Sequence, residues 1–339
     1  MKKIIGILFL FSLVVGINSC KNEPGNDSRD RSTRGGMILP NVSGTAGEVL
    51  VVMDNFNWKN KAGEMLRKTL EPEYPALTQP EPLFDLIHIT AGAFENIFQI
   101  HRTVLIVNVD SEIEKATVNY SENVWARPQL VLRIVAPDSY ALEELLEKEK
   151  DNIRNNILVY DRKRIQDVYN DSKDPEIASI VSKFHIKLAI PRGYNIDLST
   201  KEFASFSIET AKTSQVIFVY EYPWDGSDVL NTQDVIEKRD QFLRKYTQGT
   251  RADSYIKTTE LFPPETYDIT KSGREFVEVR GWWELHNGYM GGPFISHSAI
   301  DENRNKVVVV EGYVYNPSNR KRNMMRQLEA IVYSMEIVE

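Results

Sequence analysis

The chain has 339 residues, of which 42% are hydrophobic and 26% charged, and its formal net charge is −7. This length is enough for about two domains of roughly 100–200 residues each, with the composition of a globular protein that buries a core. The acidic balance argues against general nucleic-acid binding, which needs a basic footprint. The single cysteine, Cys20, excludes an intrachain disulfide and a cysteine-rich metal site.

The first twenty residues have the organisation of a secretory signal peptide. Lys2 and Lys3 precede an uncharged apolar run over residues 4–17, which is too short for a spanning helix. The run ends at Ile17-Asn18-Ser19-Cys20, which resembles the bacterial lipoprotein box. That resemblance implies removal of residues 1–19 and attachment of lipid to Cys20. The alternative is an ordinary secretory signal with a chance cysteine.

Residues 20–40 are polar and rich in Gly and Ser, so we predict a lipidated, flexible tether there. Several acyl chains, palmitate among them, would anchor the protein stably in a membrane. By resemblance to bacteria with two membranes, Lys21 after the cysteine favours the outer membrane. We therefore expect an outer-membrane lipoprotein that faces the periplasm or the cell surface.

The first folded unit, residues 41–175, has alternating strand and helix patterns. The continuous aliphatic run over residues 49–53 is typical of a strand covered on both faces. A helical pattern follows over residues 58–71, and further strands are indicated at 84–90, 102–110 and 128–136. Asp138 or Ser139 then caps a long amphipathic helix. These patterns predict an α/β layer whose strand order the sequence does not determine.

A polar segment predicts a domain boundary near residues 170–182; the alternative is a loop inside one larger domain. The second unit, residues 183–339, is predicted as an antiparallel sheet flanked by helices. We expect strands at 184–197, 202–209, 214–223, 274–286, 294–301 and 306–315, and helices over 232–246 and at the C-terminus. Residues 301–305 join the last two of these strands as a hairpin.

Several stretches together resemble one known family. They include "GEVLVVMD", "WARPQLVLRI", "IPRGY", "RGWWEL", "MGGPFISHS" and "KRNMMRQLEAIVYS". With the lipoprotein box, they are similar over nearly the whole chain to the lipoprotein family of unknown function numbered 4837. The resemblance implies an envelope lipoprotein and assigns no functional residues. Residues 183–337 also resemble PsbP-like α/β/α sandwiches, which are mostly non-catalytic binding domains, and this implies a fold but no function.

The most distinctive stretch is "RGWWELHNGYMGGPFISHS" at residues 280–298. In a strand, Arg280, Trp282, Glu284 and His286 share one face. If Gly291 and Gly292 form a two-residue turn, His286 faces His297, Trp282 faces Asp301, and Glu284 is diagonal to His297.

Three interpretations of this stretch remain open. Two histidines and a glutamate could bind zinc or form an acid–base pair. Trp and Arg could instead anchor a partner on a binding face. The third and favoured interpretation is a structural hairpin whose glycines supply positive φ and whose tryptophans cover the sheet. Pro293 makes the tight turn doubtful, and a longer loop would separate the histidines.

Three consecutive cations, Arg320, Lys321 and Arg322, begin the C-terminal helix, where positive charge is unfavourable. This mismatch suggests an anion-binding site for a ligand phosphate or carboxylate, or pairing within the chain. Arg239, in the middle of a helix and nearly in line with its apolar face, is expected in a buried ion pair.

The function indicated by these features is a non-catalytic binding or assembly factor, held at the membrane by its N-terminal lipid. An envelope protein or a glycan is the expected partner, and no cofactor, metal or nucleic acid is expected. The alternative is a periplasmic or surface hydrolase that uses Glu284, His286 and His297.

Overall fold

The computed structural model describes residues 33–34, 37–226, 230–249 and 251–338. The chain separates into two compact units, Met1–Ile38 and Leu39–Glu339. In the first unit, β1 (Thr33–Arg34) pairs antiparallel with β2 (Met37–Ile38). Thr33–Arg34 thus forms a short strand within the segment predicted as a tether, and the tether itself stays a prediction. The predicted signal peptide and Cys20 lie outside the described residues.

The N-terminal part of the second unit is built on a five-stranded sheet with strand order β4-β3-β5-β7-β6. All neighbouring strands are parallel except β6, which is antiparallel to β7. The elements are β3 (Glu48–Val52), α1 (Asn55–Lys59), α2 (Lys61–Leu70), β4 (Asp85–Ile89), β5 (Thr103–Val109), β6 (Thr117–Glu122), β7 (Leu130–Ala136) and α3 (Ser139–Asp171).

Alternation along β3 divides this sheet into two differently covered faces. Val49 and Val51 belong to the large core that also contains residues of α2 and α3. Leu50 and Val52 point to the other face and pack near Phe94 and Trp125, which come from loops rather than helices. The predicted single helix over 58–71 is two helices, since Asn60 is extended between α1 and α2. Asp138 caps α3 by accepting a hydrogen bond from the Ala141 backbone N–H, as predicted.

The C-terminal part is built on an antiparallel sheet ordered β12-β14-β15-β16-β11-β10-β9, with β13 also paired to β14. Two short strands, β8 and β17, pair separately. The elements are α4 (Pro175–Val181), β8 (Ile186–Lys187), β9 (Asn195–Ser199), β10 (Phe203–Glu209), β11 (Ser214–Pro223), α5 (Thr232–Tyr246), β12 (Ile256–Thr258), β13 (Glu265–Lys271), β14 (Arg274–Leu285), β15 (Gly291–Asp301), β16 (Lys306–Tyr315), α6 (Arg322–Tyr333) and β17 (Glu336–Ile337).

Helices cover both faces of this sheet. Leu243 of α5 belongs to an aromatic core with Trp283 and Phe294. On the opposite face, Leu328 of α6 shares one continuous core with Val49 of the N-terminal sheet. The expected mixed α/β architecture, with a second, antiparallel sheet flanked by helices, is confirmed.

The predicted strand over 184–197 is wrong in extent. It is divided into β8 and β9 because Pro191 and Gly193 interrupt it, and Gly193 has a φ of +106° that strands do not use. The predicted boundary at 170–182 contains the end of α3 and all of α4. The division into domains 41–175 and 183–339 remains a prediction, since residues 39–339 form one compact unit.

Candidate functional site

The register of β14 with β15 differs from the predicted one. Glu284 is opposite Gly291, Trp282 is opposite Pro293, and Glu278, rather than His286, is opposite His297. Gly291 and Gly292 lie inside β15, and the turn is formed by residues 286–290 instead. Gly292 is needed for close packing, because a Cβ there would lie 1.9 Å from the Val314 carbonyl oxygen.

This register separates the two histidines of the predicted hydrolase site. His286 is eight residues from Glu278, the partner of His297, so about 26 Å of strand separates them at about 3.3 Å per residue. His286 is partly exposed, with its Nε2 3.9 Å from an Asp253 carboxylate oxygen, whereas His297 is fully buried. The hydrolase arrangement of Glu284, His286 and His297 is therefore contradicted.

Glu284 is also engaged away from both histidines. It accepts a hydrogen bond of 2.6 Å from the Thr259 hydroxyl and lies 3.2 Å from the Lys257 ammonium. Asp301, predicted opposite Trp282, instead pairs with Lys306 in the sheet and accepts a 2.6 Å hydrogen bond from the Arg304 guanidinium. Asp301 is buried and holds the β15–β16 turn, so its role is structural.

Arg280 and His297 do meet, in a buried group that we call the charged seam: Tyr74, Arg162, Glu278, Arg280, His297 and Glu329. The Arg280 guanidinium donates to Glu278 at 2.6 Å and to Glu329 at 2.8 Å. His297 Nε2 lies 2.9 Å from the other Glu278 oxygen.

Two members of the charged seam come from the N-terminal part of the chain. The Tyr74 hydroxyl donates to Glu329 at 2.9 Å, and Arg162 of α3 donates to Glu329 at 3.1 Å. The seam therefore joins α3 and the segment after α2 to β14, β15 and α6.

Mutual pairing decides the charge states in the seam. Burial raises the pKa of Glu329, but Arg280 and Arg162 outweigh it and lower that pKa to about 2. Burial likewise opposes ionisation of Glu278, yet Arg280 and His297 hold its pKa well below the ordinary range. Burial lowers the pKa of His297 despite the Glu278 carboxylate, so the imidazole is neutral and donates from Nε2. These groups are sequestered and paired, which suits a structural role better than catalysis.

A second buried charge cluster joins α3 to α6. Asp161 accepts from Arg164 at 2.7 Å and from Arg326 at 3.2 Å. Arg326 also donates to the Leu83 carbonyl. Arg164 is three residues from Asp161 on α3, but Arg326 is 165 residues away, so the periodicity of either helix alone gives no signal for the contact between them.

The cations at the start of α6 are paired within the chain. Arg322 donates to Asp85 at 2.6 Å, Arg320 donates to the same carboxylate at 3.2 Å, and the Lys321 ammonium donates to Gln79 at 2.8 Å. The Glu81 carboxylate accepts the backbone N–H groups of both Lys321 and Arg322. Intramolecular pairing is therefore the correct alternative, and the predicted ligand-anion site at these residues is wrong.

The far end of β14 is different, since apolar side chains are exposed there. We call this region the hairpin tip; its members are Leu261, Phe262, Trp282, Tyr289 and Met290. Leu261 is 77% exposed and Tyr289 is 96% exposed. Phe262 packs edge-on against Trp282, with ring centroids 6.3 Å apart. Trp282 was predicted as a binding residue; Phe262 was not, although "LFPP" is an apolar run between strands.

Within the part of the chain that the structure describes, no group of three or more His, Cys, Asp or Glu residues could hold a metal ion. Among the same residues, no helix is both long and apolar enough to cross a membrane.

A mostly parallel five-stranded sheet joined through one core to a helix-flanked antiparallel sheet defines a mixed α/β protein. Residues 172–334 match the model of a family described as a domain of unknown function, DUF4837. The expected resemblance to this family is confirmed over the C-terminal part of the chain, and the match does not extend over nearly the whole chain. Residues 42–170 match a different model, the domain of unknown function DUF8532.

Comparisons with other proteins add no activity. No curated protein matches the chain. The solved structures that resemble it include the Ran-binding protein Mog1p of Saccharomyces cerevisiae, at 11% identity and a TM-score of 0.30, covering 46% of this chain and 91% of Mog1p. Another is LpqN of Mycobacterium tuberculosis, at 13% identity and a TM-score of 0.29, covering 45% of this chain and 83% of LpqN.

Proposed function

We propose that the protein is a lipid-anchored component of the bacterial envelope that acts as a non-catalytic binding or assembly factor. One observation carries the non-catalytic part. In the distinctive stretch over 280–298, Arg280 and His297 are buried in internal pairs, whereas Tyr289 at the end of the same hairpin is exposed. Chemistry needs accessible polar groups, and binding needs an accessible surface.

The anchor is proposed from the sequence. Cys20 is the only cysteine of the chain and directly follows Ile17-Asn18-Ser19, the position that lipid attachment requires. A thioether-linked diacylglycerol and an amide-linked palmitate would together bury enough methylene groups for stable attachment, at about 0.8 kcal/mol per buried CH₂. Lys21 supports the outer membrane as the destination.

The binding surface is proposed at the hairpin tip. Contiguous exposed apolar side chains commonly mark interaction sites. Leu261 and Phe262 are exposed there, and Phe262 packs against the half-buried Trp282. Trp and Tyr supply large contact area at a small entropic cost, so this surface suits an envelope protein or a glycan as partner. For the C-terminal part, the sheet with α5 on one face and α6 on the other supports a PsbP-like sandwich as the finer fold.

The anchor is tested by metabolic labelling with an alkyne analogue of palmitate in the native bacterium. We expect wild-type protein to be labelled and to fractionate with the outer membrane, and Cys20→Ser to lose both properties. Lys21→Asp should move the protein to the inner membrane, whereas Asn22→Asp, which introduces the same acidic residue one position later, should not. An unlabelled wild-type protein would contradict the anchor.

The binding surface is tested by complementation of a deletion strain. We expect the deletion to impair envelope integrity, measured as detergent sensitivity, and Tyr289→Ser to fail to restore it while remaining folded. Tyr140→Ser is the matched control, since Tyr140 is a 69% exposed tyrosine on α3. A deletion strain without any envelope defect would count against the role.

A further inference from the structure

A pocket of about 570 Å³ lies beside the hairpin tip. This volume is within the roughly 300–1,000 Å³ of small-molecule sites. The described residues that line it follow the end of α5: Arg244, Gln248, Gly249, Arg251, Ala252, Asp253, Ser254 and Tyr255. The β14–β15 turn adjoins it, since the His286 backbone N–H donates to the Tyr255 carbonyl and the Asn287 amide donates to that of Asp253.

Two arginines of this pocket are held by aromatic rings rather than by carboxylates. The Arg244 guanidinium carbon lies 5.0 Å from the ring centre of Tyr255, and that of Arg251 lies 5.8 Å from the ring centre of Tyr289. Neither forms an ion pair with any residue that the structure describes. A cation over a ring face is oriented while its N–H donors stay available.

Lys245, the residue after Arg244, shows that a cation at this end of α5 can form an ion pair with a carboxylate. Lys245, in the same turn of α5, lies 2.5 Å from the Glu202 carboxylate. Arg320 and Arg322 are likewise paired, with Asp85. The free guanidinium groups therefore distinguish this pocket from the other cationic sites described above.

The charge of the pocket is opposite to that of the whole protein. Its lining carries two arginines and one carboxylate, Asp253, whose oxygen lies 3.9 Å from His286 Nε2. The chain as a whole has a net charge of −7. Locally concentrated positive charge on an acidic protein attracts an anion specifically to this position.

We propose that the pocket binds a phosphate monoester through Arg244 and Arg251. Two guanidinium groups match a dianion better than a single carboxylate, and each can donate two parallel hydrogen bonds to it. Tyr255 lines the side of the pocket where the rest of the ligand lies, and the His286 ring packs against it with ring centres 4.7 Å apart. This inference rests on the proposed binding role and names the chemistry of the ligand; the phosphate belongs either to a soluble molecule or to a lipid headgroup.

The experiment uses the full chain in neutral detergent micelles or reconstituted vesicles, at low salt. Calorimetric titration with inorganic phosphate tests a soluble source, and flotation with phosphatidylcholine vesicles that contain phosphatidic acid tests a lipid source. Arg244→Gln and Arg251→Gln should each weaken binding about tenfold or more, because each removes charge-assisted hydrogen bonds. Asp253→Asn should strengthen binding, since it removes the only carboxylate among the described lining residues.

Lys245→Gln is the matched control, because it removes the same charge one residue away from Arg244 but outside the pocket lining. Phosphate binding with this pattern supports the proposal with a soluble ligand, and vesicle binding alone with this pattern supports it with a lipid. Absence of binding to both probes, or equal losses in Lys245→Gln and Arg244→Gln, overturns it. Either failure leaves the labelling and complementation results unaffected, so the proposed function is judged separately.

Discussion

At the scale of single residues, buried charge in this protein is accompanied by a partner. Arg239 was expected in a buried ion pair from its place on α5, and it is fully buried and 2.7 Å from Glu311. The identity of Glu311 was not predictable, because the two residues are 72 positions apart and meet only through sheet topology. The partner of His297 was likewise not predictable. The sequence suggested a register with His286 opposite His297, whereas the observed register places Glu278 there.

The buried imidazole of His297 makes stability depend on pH. Burial lowers its pKa below the ordinary 6.5, so the unfolded chain binds more protons than the folded protein between these two values. Stability should therefore fall as pH decreases from about 7.5 to about 5.5. We expect the urea midpoint of the wild type to fall over this interval, and that of His297→Gln to fall less. Tyr289→Ala, a change at an exposed site, should keep the wild-type slope; equal slopes in His297→Gln and wild type would contradict the assignment.

At the scale of elements, the patterns locate the central strands and helices better than the edges. The predicted bounds of β11, α5 and β16 agree with the structure, because turn residues and caps flank clear apolar periods. The strands β6 and β13 were missed, since their mostly exposed or half-exposed side chains lack the apolar alternation of a covered strand. The turn after β14 was misplaced because Gly291-Gly292 is a hairpin signal in sequence, whereas packing against β16 is what requires Gly292.

Gly292 is therefore expected to be intolerant of any side chain. Gly292→Ala places a methyl group 1.9 Å from the Val314 carbonyl oxygen, which is backbone and cannot rotate away. We expect a loss of about 1–3 kcal/mol in the free energy of unfolding, measured by urea denaturation, as for other overpacked sites. Gly92→Ala is the control, since a Cβ at Gly92 has no atom within 4 Å and should leave the midpoint unchanged. A wild-type midpoint in Gly292→Ala would show that the register is different.

At the scale of the whole molecule, α3 and α6 form the main contact between the two sheets. Asp161 accepts from Arg164 of its own helix and from Arg326 of α6, 165 residues away. The apolar stripes of α3 and α6 do not indicate that these two helices face each other. The sequence therefore predicted the two sheets and their helices, but not how the two parts share a core. A hydrophobicity pattern also gives no indication that charged residues such as Asp161 and Arg326 are buried at this contact.

Removing the shared carboxylate should loosen this contact. Asp161→Asn leaves Arg164 and Arg326 buried without a compensating charge, and breaking a buried pair in this way costs about 3–5 kcal/mol. Chemical denaturation measures the loss, and limited proteolysis of the native protein should cut α3 faster in the variant. Asp167→Asn is the control, since it breaks an exposed pair with Lys163 on the same helix. Equal destabilisation by both substitutions would remove the special role of Asp161.

The carboxylate of Glu81 has a consequence for how this protein evolves. It caps the first turn of α6 from within residues 42–170, while α6 itself belongs to residues 172–334, and these segments match two separate family models. If recombination at their junction replaced one segment with a homologous one that lacked this acid, the backbone N–H groups of Lys321 and Arg322 at the start of α6 would lose their acceptor. The two segments are therefore expected to be inherited together, and a genome that encodes one of them alone should show a different residue pattern at the start of α6.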